Sequence, residues 1–400
     1  MTLISIIYSR TQLSTKNIGL RNIEVADTKI CSIDGESGKL TYRGFEIFDL
    51  VKNSTFEEIS YLLLFGDLPT SLELQNFRKK LYASRDIPAQ VIRTMKERPK
   101  SASPMDVLQS SVSMLADFGN SSDDSKQVNI SRAISLIAKF PTIVATWNCI
   151  RQGLPIVEPS KDLTHAANAL YMFNGKEPDK EFARDFDVCL ILHAEHSFNA
   201  STFAAREVAS TRAHIYASVA AAVGALSGEL HGGANVKVMQ ALQEIGSVDN
   251  VEGWVKEKLN SGGRIMGMGH AVYKTDDPRA KILREMSRRL AAKTNTKWYD
   301  MTQKIEDVSK KEMRKRKRPE IFANVDLYSA SVYYVMGIPV DLNTPIFAIA
   351  RVAGWTAHIV EEKFAEAQPK PVLYRPKATY VGRYCGPLGC EYVPIDKRDH

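Results

Sequence analysis

The chain has 400 residues, 44% of them hydrophobic and 25% charged, with a formal net charge of +7. That composition gives no sign of disorder and supplies a large core, expected as two domains. The positive balance favours anionic partners of any kind, from nucleic acid or membrane to small acids and phosphates, and does not choose among them.

Strand signal is confined to the N-terminal part. Ile23–Ser32 and Lys39–Tyr42, around Asp34-Gly35, predict a small hairpin. Helical signal then dominates. Ser54/Glu57 and Thr55/Glu58 are each spaced as a capping box for a helix over Ser54–Phe65. Gly66 and Pro69 stop it, and Thr70 with Glu73 starts the next. Ser103-Pro104 resembles a cap and first helical position, followed by Met105, Leu108, Val112 and Leu115 at helical spacing up to Gly119. His193 and His196 are three apart on an expected helix, with Glu195 between them, so a metal site has to be weighed. Ala200–Arg206 and Ala213–Ala225 are rich in small residues, which suits close helix packing inside the fold or between subunits.

Met1–Tyr8 is too short for a signal-peptide core, and Ile215–Leu226 is too short to span a bilayer. A cytoplasmic location is the expectation. Cys31, Cys149, Cys189, Cys385 and Cys390 form an odd, sparse set unlike a secreted disulfide framework. Cys385 and Cys390 bracket a Gly-Pro-Leu-Gly turn, which leaves a local disulfide or a metal contact open.

Chemistry concentrates at two histidines flanked by glycine. One lies in Gly228-Glu229-Leu230-His231-Gly232-Gly233-Ala234-Asn235, ahead of an apolar stripe at Val238, Leu242 and Ile245. The other lies in Gly267-Met268-Gly269-His270-Ala271-Val272, followed by Lys274, Asp277, Pro278 and Arg279. Glycine removes side-chain bulk and lets an imidazole meet a ligand closely. A histidine before a helix faces the positive end of the dipole, which disfavours imidazolium. Asp326, in Asn324-Val325-Asp326, has apolar neighbours that would raise its pKa toward that of a general base. Alone, the same aspartate reads as the N-cap of a helix over Leu327–Met336; two glycine-flanked histidines turn the reading toward catalysis. No glycine-rich nucleotide loop appears, so nucleotide hydrolysis and hydride transfer have no support.

These runs, with Tyr42-Arg43-Gly44, Leu192-His193-Ala194-Glu195-His196, Arg351 and Arg375-Pro376, resemble citrate synthase in its shorter prokaryotic form, over nearly the whole chain. Glu229 and Met268 depart from the family's usual residues, and neither is a reacting group. The resemblance implies a mostly α-helical, two-domain homodimer. Residues 1–233 and 336–400 would form a large domain, and 234–335 a smaller inserted one. It implies acetyl-CoA and oxaloacetate as substrates, no tightly bound cofactor and no metal. His231, His270 and Asp326 would be catalytic. His196, Arg279, Arg351 and Arg375 would hold oxaloacetate, Arg375 from the neighbouring subunit. Arg264 and Lys274 resemble positions near coenzyme A phosphates. In the basic run Arg314–Arg318, Lys317 or Arg318 would approach the 3′-phosphate; without the resemblance that run reads as surface or as a nucleic-acid patch. The nearest alternative is 2-methylcitrate synthase, using propionyl-CoA.

Overall fold

The computed structural model describes residues 18–20, 23–119, 122–383 and 388–398. Met1–Tyr8 and Cys385 lie outside them. Three antiparallel strands come first, β1 (Cys31–Asp34), β2 (Lys39–Tyr42) and β3 (Phe45–Glu46), in that spatial order. Cys31 pairs with Tyr42 and Asp34 with Lys39, so residues 35–38 form the turn. The expected strand from Ile23 begins only at Cys31, because residues 23–30 pair with no strand among the described residues.

Helix α1 (Ile47–Asn53) comes first and was not expected; α2 (Phe56–Phe65) is the helix predicted over Ser54–Phe65. Thr55 caps α2 by accepting the Glu58 N–H. Ser54 ends α1, and Glu57 is buried, accepting hydrogen bonds from the His165 N–H and the Tyr82 hydroxyl. Helix α3 (Ser71–Ala83) carries the complete Thr70/Glu73 capping box. Then come α4 (Ala89–Glu97), α5 (Pro104–Gly119), α6 (Lys126–Gln152), α7 (His165–Asn174), α8 (Lys180–His193), α9 (Ala200–Ser210) and α10 (Ile215–Ser227). Helix α6 is long and apolar enough to cross a membrane, yet 83% of its most apolar window is packed inside the fold. The small-residue stretches fall on α9 and α10, which pack on one another, and α10 also lies against α5.

Helices α11 (Ala234–Ile245), α12 (Val251–Asn260), α13 (Pro278–Thr294), α14 (Trp298–Lys315) and α15 (Val325–Val335) pack mainly among themselves. Helix α16 (Asn343–Lys363) returns through the first group, against α6, α9 and α10. Every residue of α16 from Asn343 to Glu362 is buried, so its charged groups need partners. Arg206 of α9 supplies them, pairing with Glu361 and Glu362 at 2.6 Å each and donating to His358 Nδ1 at 3.0 Å. The Tyr374 hydroxyl donates to Glu362, which ties the segment after α16 back onto this cluster.

Candidate active site

His231 sits in the tight turn between α10 and α11. The Gly232 N–H donates to the Leu226 carbonyl at 3.0 Å, and a Cβ on Gly232 would lie 2.5 Å from that oxygen. The turn therefore closes only with glycine there. The ring's Nε2 accepts the Ser201 main-chain N–H at 3.3 Å and lies 2.8 Å from the Ser201 hydroxyl. An N–H donor on Nε2 leaves the ring proton on Nδ1. Trp355 holds Ser201 in turn, its Nε1–H donating to Oγ at 3.1 Å. Burial, then the Arg351 charge, pushes the His231 pKa down to about 4. The imidazole is neutral at pH 7, for reasons beyond the helix dipole that the sequence suggested.

His270 has the opposite tautomer. Its Nδ1 accepts the N–H groups of Val272 at 2.9 Å and Tyr273 at 3.1 Å, so the proton is on Nε2. Burial, then Arg279, pushes its pKa down to about 4. Gly269, at φ 87°, provides the turn into this loop. Its N–H donates to the Phe322 carbonyl at 2.7 Å, and the Asn324 N–H donates to the Gly267 carbonyl at 2.9 Å. These bonds lash the histidine loop to the segment that leads into α15 and Asp326.

Asn324, not Asp326, caps α15, its side chain accepting the Asp326 N–H at 3.0 Å. This corrects the cap reading of Asp326 and frees its carboxylate. Asp326 Oδ1 is buried with no protein partner. Burial raises the carboxyl to about 6, against the opposing pull of Arg279 and a hydrogen bond from Asn235. Asn235 is itself fixed by Ser329 and Asn343.

His193 and His196 do not share a helix face. Helix α8 ends at His193, whose Nδ1 donates to the Cys189 carbonyl at 2.7 Å, as a packing residue would. His196 lies in the following loop, buried, its ring 5.3 Å from that of His270 and its Nε2 3.3 Å from the Tyr273 hydroxyl. Burial, then Arg279 and His270, holds its pKa well below the ordinary histidine value. Among the described residues no three His, Cys, Asp or Glu side chains form a metal-ligating group.

Two buried guanidiniums complete the cluster. Asp277 caps α13 and takes both Nε and Nη2 of Arg279, at 3.0 and 2.8 Å. Arg351, on α16, donates Nε to the His193 carbonyl at 2.6 Å. Burial pushes its pKa down to about 10, partly offset by Glu195, so it stays charged at neutral pH. Neither arginine uses all its donors on protein, which leaves N–H groups for an anion.

Other expected site residues stand apart from this cluster. Arg375 is exposed, and its Nη1 donates to the adjacent Pro376 carbonyl at 3.1 Å. Lys274 is held in an exposed ion pair with Glu36. Arg264 is exposed at the surface. Lys317 and Arg318 end α14 in a Schellman turn, their N–H groups donating to the Arg314 and Met313 carbonyls at 3.0 Å each, with Lys317 at φ 51°. Their side chains are exposed and form no salt bridge among the described residues, whereas Arg314, Lys315 and Arg316 are paired with Glu320 and Glu312. Ser201, Asn235, Tyr273 and Asp277 carry the geometry without having been singled out in the sequence. They lie within or beside the quoted motifs, and the signal would have been their position there.

A sequence model described as "Citrate synthase, C-terminal domain" matches residues 19–377. The chain belongs to the citrate synthase family. It is 42% identical over 387 residues to a citrate synthase of Haloferax volcanii, covering 95% of this chain and 98% of that one. It is 38% identical over 365 residues to a 2-methylcitrate synthase of Shewanella oneidensis, covering 91% and 94%. Its fold is similar to that of the Thermoplasma acidophilum citrate synthase in ternary complex with carboxymethyl coenzyme A and oxaloacetate, at a TM-score of 0.88 and 32% identity over 95% of this chain and 98% of that one. The chain is accordingly an acyltransferase of the citrate (Si)-synthase type.

Proposed function

We propose that the chain condenses acetyl-CoA with oxaloacetate at this cluster and hydrolyses citryl-CoA to citrate and CoA, in the cytoplasm, at the entry to the tricarboxylic acid cycle. The observation that carries the reading is the set of fixed proton positions. Two neutral imidazoles with opposite tautomers lie in one charged cluster with a buried, raised carboxyl. Asp326 takes the methyl proton of acetyl-CoA. The Nδ1–H of His231 donates to the thioester oxygen and stabilises the enol. The enol carbon attacks the keto carbon of oxaloacetate as the Nε2–H of His270 donates to the keto oxygen. His196, Arg279 and Arg351 bind the keto acid, and water then hydrolyses the thioester of citryl-CoA.

Residues 234–335 are proposed to be the smaller domain, closing on the larger after oxaloacetate binds and excluding water until condensation is complete. The chain is proposed to work as a homodimer in which Arg375 reaches the partner's site. No tightly bound cofactor, metal or nucleic acid is called for. Arg264, Lys317 and Arg318, whose side chains form no ion pair among the described residues, are the proposed contacts to coenzyme A phosphates; Lys274 would first have to release Glu36. Charge neutralisation at both Lys317 and Arg318 should raise the KM for acetyl-CoA more than that for oxaloacetate. Equal changes in both would leave these cations as surface charge.

Release of CoA thiol, measured with oxaloacetate and either acetyl-CoA or propionyl-CoA, tests the activity. Faster release from acetyl-CoA is expected, and none from either would refute the reading. The identity to a 2-methylcitrate synthase keeps the second substrate in the assay. One methylene separates the two by only ~1–3 kcal/mol in a hydrophobic pocket.

A further inference from the structure

We propose that the hairpin turn of residues 35–38 is the seat of the His270 loop and positions its imidazole against the keto acid. The two segments are far apart in sequence and meet backbone to backbone. The Lys274 N–H donates to the Gly35 carbonyl at 2.9 Å. A Cβ on Gly35 would fall 2.4 Å from the Val272 carbonyl oxygen and 3.1 Å from its carbon. Backbone cannot yield as a flexible side chain can, so any larger residue at 35 must push the loop away. A Cβ on Gly38, at φ 66°, would meet Thr275 Cγ2 at 2.8 Å and the Asp276 carbonyl at 3.0 Å. The Lys274–Glu36 ion pair lies over this contact, but its side chains are 72% and 71% exposed. Such a pair is worth little, so the backbone contact carries the effect.

What is seated there matters for the reaction. Val272 and Tyr273, beside Lys274, supply the two N–H groups that fix the tautomer and direction of His270. Tyr273 also reaches His196. The hairpin turn is braced from within. Asp34 Oδ1 accepts the N–H groups of Glu36 at 3.0 Å and Ser37 at 3.1 Å. At its other end, the buried Tyr42 hydroxyl donates to the Glu195 carbonyl at 3.0 Å, next to His196. One hairpin thus holds both histidines that face the keto acid, His196 through Tyr42 and His270 through Gly35. Gly35 is a positioning residue, acting through the loop.

The inference rests on the role proposed for His270, and the experiment separates the two. Oxaloacetate labelled with 13C at the keto carbon is bound to the full-length enzyme, and its carbonyl stretch is read by infrared difference spectroscopy. Wild type should shift the band to lower frequency, and His270→Ala should abolish the shift. Gly35→Ala should shrink the shift and lower kcat roughly 10- to 100-fold, the cost of an ångström-scale misplacement. The KM for acetyl-CoA should stay within about twofold, since His270 does not serve the thioester. Deleting Glu36 and Ser37 leaves Gly35 and Gly38 as a two-residue turn that preserves strand pairing. Such a turn needs positive φ at its first residue, which Gly35 does not have in the native hairpin. The deletion therefore re-aims the Gly35 peptide away from the Lys274 N–H without adding a Cβ, and it decides the matter if Gly35→Ala does not fold. Glu36→Gln keeps the backbone contact and should keep the wild-type shift. A full shift in the deletion variant, or its loss in Glu36→Gln, would overturn the assignment to Gly35. A full shift in His270→Ala would instead overturn the role of His270.

Discussion

Asp326→Asn should cut turnover by at least ~10²-fold, the lower range for loss of an acid–base group, with the fold intact. The substitution keeps the size of the side chain and removes only its capacity to accept a proton. The α15 cap is unaffected, because Asn324 provides it. A folded variant with near-normal turnover would remove Asp326 from the chemistry. Circular dichroism and a thermal melt verify the fold, and steady-state thiol release reads the turnover.

The same carboxyl ties activity and stability to pH in opposite directions. Burial raises it from 3.8 to about 6. As a base it must be ionised, so the rate should fall as pH drops through about 6. For stability the sign reverses. Between the two values the native state holds a proton that the unfolded chain has lost, so the contribution of Asp326 is largest below pH 4 and is lost as pH rises through 6. Above pH 6 the native state carries a buried charge at a cost of up to ~3 kcal/mol. Asp326→Asn should then melt higher than wild type at pH 7, and this advantage should vanish toward pH 4.

Helix content and the placement of the two histidine turns were legible because glycine and capping residues leave local signatures. Thr70/Glu73 needed no tertiary information. Other features depended on distant partners. Both Ser54/Glu57 and Thr55/Glu58 have the spacing of a capping box, and Glu57 was withdrawn from that role by His165 and Tyr82. His193 and His196 fit a helix face in sequence, but the helix stops between them. Asp326 reads as a cap until Asn324 is seen to fill that role. The tautomers of His231 and His270 were not legible, because Ser201 lies thirty residues from His231 and the two amides on His270 depend on the fold of its loop. Lys274 resembles a position near coenzyme A phosphates, and its pairing with Glu36, 238 residues away, could not be read from its neighbours.

Arg375 leads to the second expected result: recovery of activity when two inactive variants are mixed. Tyr374 is anchored on its own chain, its ring stacked 6.0 Å from that of Phe203 and its hydroxyl on Glu362. The next residue, Arg375, is exposed and free to meet another chain. If it completes the partner's site, Asp326→Asn disables the chain that carries it, whereas Arg375→Ala disables the other subunit's site. Each variant refolded alone should be inactive. Co-refolded in equal amounts with random pairing, half the dimers are mixed. In each mixed dimer one site takes both defects and the other takes neither. About one quarter of all sites should therefore recover. Mass spectrometry of the intact dimers verifies that mixed species form, and thiol release reads the recovered fraction. Mixed dimers without activity would mean that Arg375 acts in its own chain or takes no part, and the shared site would be wrong.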